Sequence, residues 1–230
     1  KRKIFKLLIL ISFPLTLNLL FLLNSRGAYL AMIAASMCLA FLARKKERKI
    51  LFIAALCSII VLPVLAKDEK IYQRFNSIFV ESEDRDSSAQ SRLLLWKAAL
   101  DLISDNPIGT GGDGFKRVHG LEYSSKYGIY KFKAVHNGYL SIACEWGVQG
   151  LLLHLTLVFY IAYCSFKSSQ YLLYEKDMLR ESFFIKSLIC GLFGFAVSAC
   201  FTTVLDEEWL FWILSFLVAC CKLAERDRFQ

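Results

Sequence analysis

Six apolar blocks divide this chain, each long enough, or nearly so, to cross a hydrocarbon core of roughly 30 Å at about 1.5 Å per helical residue. They are Phe5–Leu23, Ala28–Ala43, Ile50–Ala66, Asn137–Phe166, Phe183–Leu205 and Trp209–Leu223. The second and last are short and the fourth is long, so tilt or half-buried ends are expected. Composition agrees: 56% of residues are hydrophobic, against about 45–50% in an ordinary globular domain, and mean hydropathy is +0.45. The excess sits in blocks, which marks a membrane protein rather than a large soluble core. The expected fold class is therefore an all-α integral membrane protein of about six transmembrane helices. The chain opens Lys1-Arg-Lys without Met and reads as a fragment. A signal peptide is a poor fit, because Phe5–Leu23 is too long for a signal core, no Ala-x-Ala site follows it, and further apolar blocks come after. No segment repeats at a fixed period.

Charge sets the expected orientation. The formal charge of +8 could point to nucleic acid, but much of the excess lies in short segments beside apolar blocks. Positive charge there holds connections in the cytoplasm. Arg44-Lys-Lys-Glu-Arg-Lys49 carries five basic residues against one acidic and anchors the scheme. It places Lys1–Lys6, Lys167–Ser182 and the tail Lys222–Gln230 inside. Asn24–Gly27, Lys67–Val135 and Asp206-Glu-Glu208 then fall outside, with Trp209 and Trp212 at the outer interface. The 69 residues from Lys67 to Val135 are nearly balanced, with eleven basic and ten acidic, and do not bear on orientation. Three divisions follow: residues 1–66 with three spans, 67–136 as an extracytoplasmic loop, and 137–230 with three spans and a cytoplasmic tail. All eight cysteines lie in or at the ends of apolar blocks. That placement fits neither a disulfide framework nor a zinc site.

The loop holds most of the candidate chemistry. Ser91 reads as the N-cap of a partly amphipathic helix over about 91–104, ended by Asn106-Pro107 because the residue before proline leaves the α region. Its apolar residues Leu93, Leu94, Trp96, Ala98, Leu100 and Ile103 cover more than one face. The helix is expected on the membrane surface or against the outer helix ends. Upstream, Glu81–Ser88 reads as solvated and turn-like; its Glu83-Asp84-Arg85-Asp86 could hold a metal but fits a solvated charge run better. Gly109-Thr-Gly-Gly-Asp-Gly114 is similar to a phosphate cradle, but lacks the following Gly-Lys-Ser/Thr and a preceding strand. It reads as a tight turn returning the chain to the membrane.

Arg26 sits between two apolar blocks, so its guanidinium lies at the outer interface. Either it snorkels to lipid phosphate, or it is a fixed cation for a lipid-linked phosphate that a planar fork can bind bidentately. Gly27 beside it would let a bulky headgroup approach the backbone. Arg92 falls in the first turn of the expected helix, against the dipole, where an anionic ligand would offset the cost; an exposed loop arginine is the alternative. His136, followed by Asn137-Gly138 and the fourth block, lies at the outer boundary and has the pKa range of a general base. A structural interfacial histidine is the alternative. His119 and His154 are weaker candidates. Glu145 lies within the fourth block, where an ionisable group is costly. Nine residues from His136 is about 900° of regular helix, which puts the two on opposite faces. A structural role, with a basic or hydroxyl partner on a neighbouring helix, is expected for it.

Taken together, these pieces resemble the O-antigen ligase / O-antigen polymerase family of bacterial membrane glycosyltransferases. The matching residues are Asn24-Ser-Arg-Gly-Ala-Tyr-Leu30, Arg92-Leu-Leu-Leu-Trp-Lys-Ala-Ala99, Asp105-Asn-Pro-Ile-Gly-Thr-Gly-Gly112, His136-Asn-Gly-Tyr-Leu140 and Glu145-Trp-Gly-Val-Gln-Gly150. The combination, in order and on one face, is more specific than any piece, and the resemblance runs from about residue 20 to 215. It implies a GT-C-like fold, of which this chain is the C-terminal half. It also implies a metal-independent, inverting transfer, with no cofactor, in a multi-pass protein of the bacterial inner membrane whose site faces the periplasm. The donor would be a glycan on a polyprenyl diphosphate and the acceptor a glycan or lipid A–core sugar; membrane lipids are the remaining partners and nucleic acid is not one. By the same resemblance Arg26 and Arg92 hold the diphosphate and His136 takes the acceptor proton, with Asn137, Glu145 and Gly27 in support.

Ligase, polymerase and protein-glycosylating activities stay open on these residues, because the acceptor pocket distinguishes them. A transporter or flippase half is the non-enzymatic alternative. It requires polar residues along the spans, where the sequence offers little beyond Glu145 and His154.

Overall fold

Every regular element among the described residues is helical. The computed structural model describes residues 25–45, 47–49, 83–203, 205 and 208–226. The apolar blocks Phe5–Leu23 and Ile50–Ala66 lie outside them. Helix α1 is Arg26–Leu42, α2 is Glu83–Asp105, α3 is Gly120–Ser125, α4 is Gly138–Tyr174, α5 is Leu179–Ala199 and α6 is Glu208–Arg226, with a π-helical turn at Gly114–His119. Two of these, α4 and α5, are long and apolar enough to cross a membrane. With 17 residues, α1 is apolar but spans only about 25 Å.

Small residues let α1 and α5 pack closely and fix their direction. A Cβ on Gly27 would stand 2.9 Å from the Phe201 Cβ, and one on Gly194 would stand 2.8 Å from the Ala35 Cβ. Further along, the Cys190 and Cys38 sulfurs lie 3.5 Å apart. As α1 advances its partners on α5 recede, so the helices run antiparallel. A tight turn, closed by Met178 N–H on the Leu172 carbonyl at 2.8 Å, reverses α4 into α5. At their far ends the Tyr139 hydroxyl donates to the Ala196 carbonyl at 2.8 Å. Helix α6 lies along α4, with Ser165 Oγ 3.3 Å from Cys221 Sγ. Leu172, Ile185, Leu192, Leu210, Leu214 and Leu217 fill the space among α4, α5 and α6. The start of α1, the start of α4 and the turn at Phe201–Leu205 thus share one end of the bundle. Ala43 and the turn after Tyr174 share the other.

A second, separate core builds the loop. Leu95, Ala98, Ala99 and Leu102 recur at helical spacing on one face of α2 and pack with Phe115, Tyr123, Val135 and Cys144. Helix α3 and the turn after it dock through two phenols: Tyr127 of the turn donates to Asp101 at 2.8 Å and Tyr123 of α3 to Asp105 at 2.9 Å. Those carboxylates are one helical turn apart on α2, where residues four apart are neighbours. Leu93 and Leu100 remain exposed on the other side of α2. This core takes in Cys144 and Leu140 of α4 while Tyr139 and Ile142 face the bundle core. The first turns of α4 therefore couple loop to bundle.

Two expectations change. Helix α2 begins at Glu83 rather than Ser91, so Glu83–Ser88 is helical instead of turn-like. The fourth block is not one continuous helix: Gly147 leaves the helical path at φ 72°, ψ 179°. Near the start of α5, Lys186 is only 4% exposed. Arg44 and Glu47 are its charged neighbours.

The Gly147 break explains the glycine-rich turn. A helix interrupted there strands backbone groups that must be satisfied. The Pro107–Gly111 segment supplies them. Thr110 N–H donates to the Cys144 carbonyl at 2.8 Å, Gly111 N–H to the Glu145 carbonyl at 2.9 Å, and the Pro107 carbonyl accepts from Val148 N–H at 3.0 Å. Gln149 Nε2 caps the contact on the Ile108 carbonyl at 2.7 Å. Gly109 is required because its φ is +94° and a Cβ there would meet the Glu145 carbonyl oxygen at 2.5 Å. The turn is a wedge in α4.

Candidate functional site

His136 is held from both sides. Upstream, Val135 is 1% exposed in the loop core, and its carbonyl accepts from the Trp96 indole N–H at 3.1 Å. Downstream, Asn137 is the N-cap of α4, its Oδ1 accepting from Tyr139 N–H at 3.0 Å and Leu140 N–H at 3.1 Å. Gly138 then packs under the turn, where a Cβ would stand 2.9 Å from Leu205 Cγ. Between these anchors His136 adopts φ 55°, a left-handed conformation costing roughly 1–2 kcal/mol for an L-residue. Such strain persists only where the surroundings over-determine it.

The electrostatics match that placement. Burial pushes the His136 imidazole below its ordinary pKa, and the Arg92 guanidinium and then the Lys133 ammonium push it the same way. The structure thus brings Arg92 and His136 into one charged neighbourhood although 44 positions separate them (136 − 92). Arg92 does not lie in a first helical turn. With α2 starting at Glu83 it sits well inside the helix, exposed to solvent and with no hydrogen bond or ion pair among the described residues. Opposition to the helix dipole therefore has no part in its role.

Arg26 opens α1, whose N-cap Ser25 accepts from Ala28 N–H at 3.4 Å. That start shares the Phe201–Leu205 turn with the start of α4: Gly27 abuts Phe201 on one side, and Gly138 abuts Thr202 and Leu205 on the other. The α1 terminus carrying Arg26 and the segment carrying His136 are therefore placed at one end by a single turn. The Gly27 expectation is corrected here. The space beside it is filled by the Phe201 side chain, so its missing Cβ serves helix packing and not the approach of a headgroup. Glu145 lies in the short stretch of α4 before the break and accepts from Ser141 Oγ at 3.4 Å. This hydroxyl partner stands on its own helix. Its backbone carbonyl receives the Gly111 wedge.

Two residues here escaped the sequence reading. Lys133 donates to Ser91 Oγ at 3.3 Å, beside Arg92, adding a second cation near His136. Its signal was a basic residue just before the candidate histidine. Trp96 follows Arg92 by one helical turn and carries the only polar side-chain atom that grips the Val135–His136 peptide among the described residues. A lone indole in an otherwise aliphatic run was its signal. His119 lies in the π-helical turn, and His154 lies far down α4 with a buried, unpartnered Nε2.

The arrangement can do specific chemistry. A neutral imidazole accepts a proton, and two cations beside it stabilise an anion leaving with charge. No match was found among curated proteins or among solved structures. A family model described as O-antigen ligase matches residues 11–155, more than half of the 230, and takes in Arg26, Arg92, His136 and Glu145. Helices α5 and α6 lie beyond the match, which is shorter than the expected resemblance to residue 215. The chain belongs to the O-antigen ligase family.

Proposed function

We propose that this chain carries the catalytic site of a ligase/polymerase-type glycosyltransferase that moves a glycan from a polyprenyl diphosphate to an acceptor hydroxyl. We assign it to the ligase branch, with a lipid A–core sugar as acceptor, at the periplasmic face of the bacterial inner membrane. The observation that carries this reading is His136, held in a strained turn and kept neutral by burial with Arg92 and Lys133 beside it. In the transfer, the acceptor oxygen forms a bond to the anomeric carbon as the bond from that carbon to the diphosphate oxygen breaks, inverting the centre. The acceptor proton passes to His136, and the diphosphate leaves with the bonding electrons. Arg26 and Arg92 bind the departing charge. A diphosphate needs cations more than it needs a proton donor, and these arginines supply them without a metal. The energy comes from the diphosphate linkage itself.

The test is a deletion strain examined by lipopolysaccharide gel. Loss of all O-antigen from lipid A, with carrier-linked polymer persisting, supports the ligase. A band with a single repeat assigns a polymerase instead, and loss of the ladder with carrier-linked glycan trapped on the cytoplasmic side assigns a flippase. Restored ligation by the wild-type gene but not by His136→Ala completes the assignment, and activity surviving EDTA supports transfer without a metal.

A further inference from the structure

We propose that Trp96 is a positioning residue for His136: its indole N–H grips the Val135 carbonyl and fixes the left-handed turn that presents the imidazole beside Arg92. The inference rests on reading His136 as the base of the transferase. The Val135 carbonyl belongs to the peptide plane that ends at the His136 nitrogen, so pinning it at 3.1 Å fixes one side of the His136 φ rotation. The Asn137 cap and the packing of Gly138 fix the other side. The Trp96 anchor comes from the helix that bears Arg92. Residues 92 and 96 stand one turn apart on the same face of α2, so one rigid element places both the cation and the base. An indole suits this task because it has few rotatable bonds and a single donor. Lys133 also ties the segment to α2, through Ser91, but by a long and exposed side chain. Without the indole N–H, the Val135 carbonyl would turn to water and His136 would relax toward negative φ, away from Arg92.

The test is Trp96→Phe, which keeps an aromatic ring and removes the donor. In a deletion strain at equal membrane level, O-antigen ligation should fall by about tenfold or more, since a misplacement of about 1 Å can cost on the order of a hundredfold. Binding of undecaprenyl diphosphate to the purified chain in nanodiscs should change by less than about twofold, because Arg92 is untouched. The His136 ring, followed by NMR with histidine labelling and assigned with His136→Gln, should titrate closer to the ordinary histidine value. The charged groups facing it, Arg92 from α2 and Lys133 from the preceding segment, are unchanged in this variant, so the shift reports geometry. In the wild-type chain the Trp96 indole N–H should exchange slowly with deuterium. Ligation and titration matching wild type in Trp96→Phe, or an indole that exchanges as fast as an exposed one, would overturn the proposal. If Trp96→Phe does not fold, the wild-type exchange rate decides. Failure of the parent reading looks different: His136→Ala would then keep ligation while the Trp96 indole stayed protected.

Discussion

The Val148 amide donates to the Pro107 carbonyl at 3.0 Å, just beyond the residue where α4 leaves its helical path. This bond and its neighbours splice the loop core into a long apolar helix. The loop core and the bundle core meet at the first turns of α4, so the splice sets the height of His136 relative to both. A helix without the break would carry its own carbonyl partners and would release the Asp105–Gly112 segment.

Gly147→Ala tests this directly. At φ 72°, ψ 179° the residue occupies a region that is essentially glycine-only, and an added Cβ would press on the Ile108 carbonyl. Strain and overpacking together should cost about 3 kcal/mol or more. Thermal melting in detergent should drop sharply, and limited proteolysis should cut within residues 106–119. Gly191→Ala is the control, since a Cβ there meets nothing within 4 Å. Equal melting of the two variants would remove the wedge from this account.

His136 gives the pH dependence its sign. Its folded pKa is lowered by burial first and by Arg92 and Lys133 after it, so the imidazole stays neutral below the ordinary value of about 6.5. Ligation should be flat above neutrality and should fall on the acid side with a midpoint below about 6.5. Stability should move with it. The unfolded chain takes up the proton at the ordinary value and the folded chain only at lower pH, so the contribution present above about 6.5 is lost as pH drops through that window. Rates measured from pH 5 to 8 decide; an acid limb centred above the ordinary value would contradict the assignment.

Lys133→Met should raise the His136 titration midpoint and weaken undecaprenyl diphosphate binding a few-fold, and Lys133→Arg should preserve both. Arg92→Met should move the midpoint further, since Arg92 exerts the larger of the two charge effects. Nearby positive charge disfavours a second cation, and its removal reverses that. NMR titration of the labelled ring reads the order. Equal midpoints in Lys133→Met and wild type would take Lys133 out of the site.

The all-helical class and several helix ends were legible because apolar runs and helix punctuation are local signals. Asn106-Pro107 stops α2 at Asp105, and Asn137 caps α4, each for a reason carried within a few residues. The start of α2 was missed because an acidic run reads equally as a solvated turn or as a favourable first helical turn. The break at Gly147 was missed because its stabilising partners lie about 40 positions away, in Pro107–Gly111. The pairing of Arg92 with His136 follows from Trp96 bonding Val135, a long-range contact that no periodicity announces. Gly27 shows the reverse error: a glycine beside a candidate ligand invites a functional reading, yet its space belongs to Phe201.

Gly27 and Phe201 should therefore behave as a packing pair. A Cβ on Gly27 lies 2.9 Å from the Phe201 Cβ and 3.3 Å from its Cγ, so Gly27→Ala should destabilise the α1–α5 contact by about 1–3 kcal/mol. Phe201→Gly removes both the Cβ and the ring and leaves α1 room to move back. The double variant should recover part of the loss, with a coupling of about 0.5–3 kcal/mol. Melting of the four proteins, measured with undecaprenyl diphosphate binding, separates packing from ligand approach. If Gly27 instead admitted the headgroup, its alanine variant would lose binding whichever residue stood at 201, and melting would show no coupling. Arg26→Ala next door should behave in the opposite way, losing donor binding with melting little changed, because its proposed work is done on the ligand and that of Gly27 on the helix.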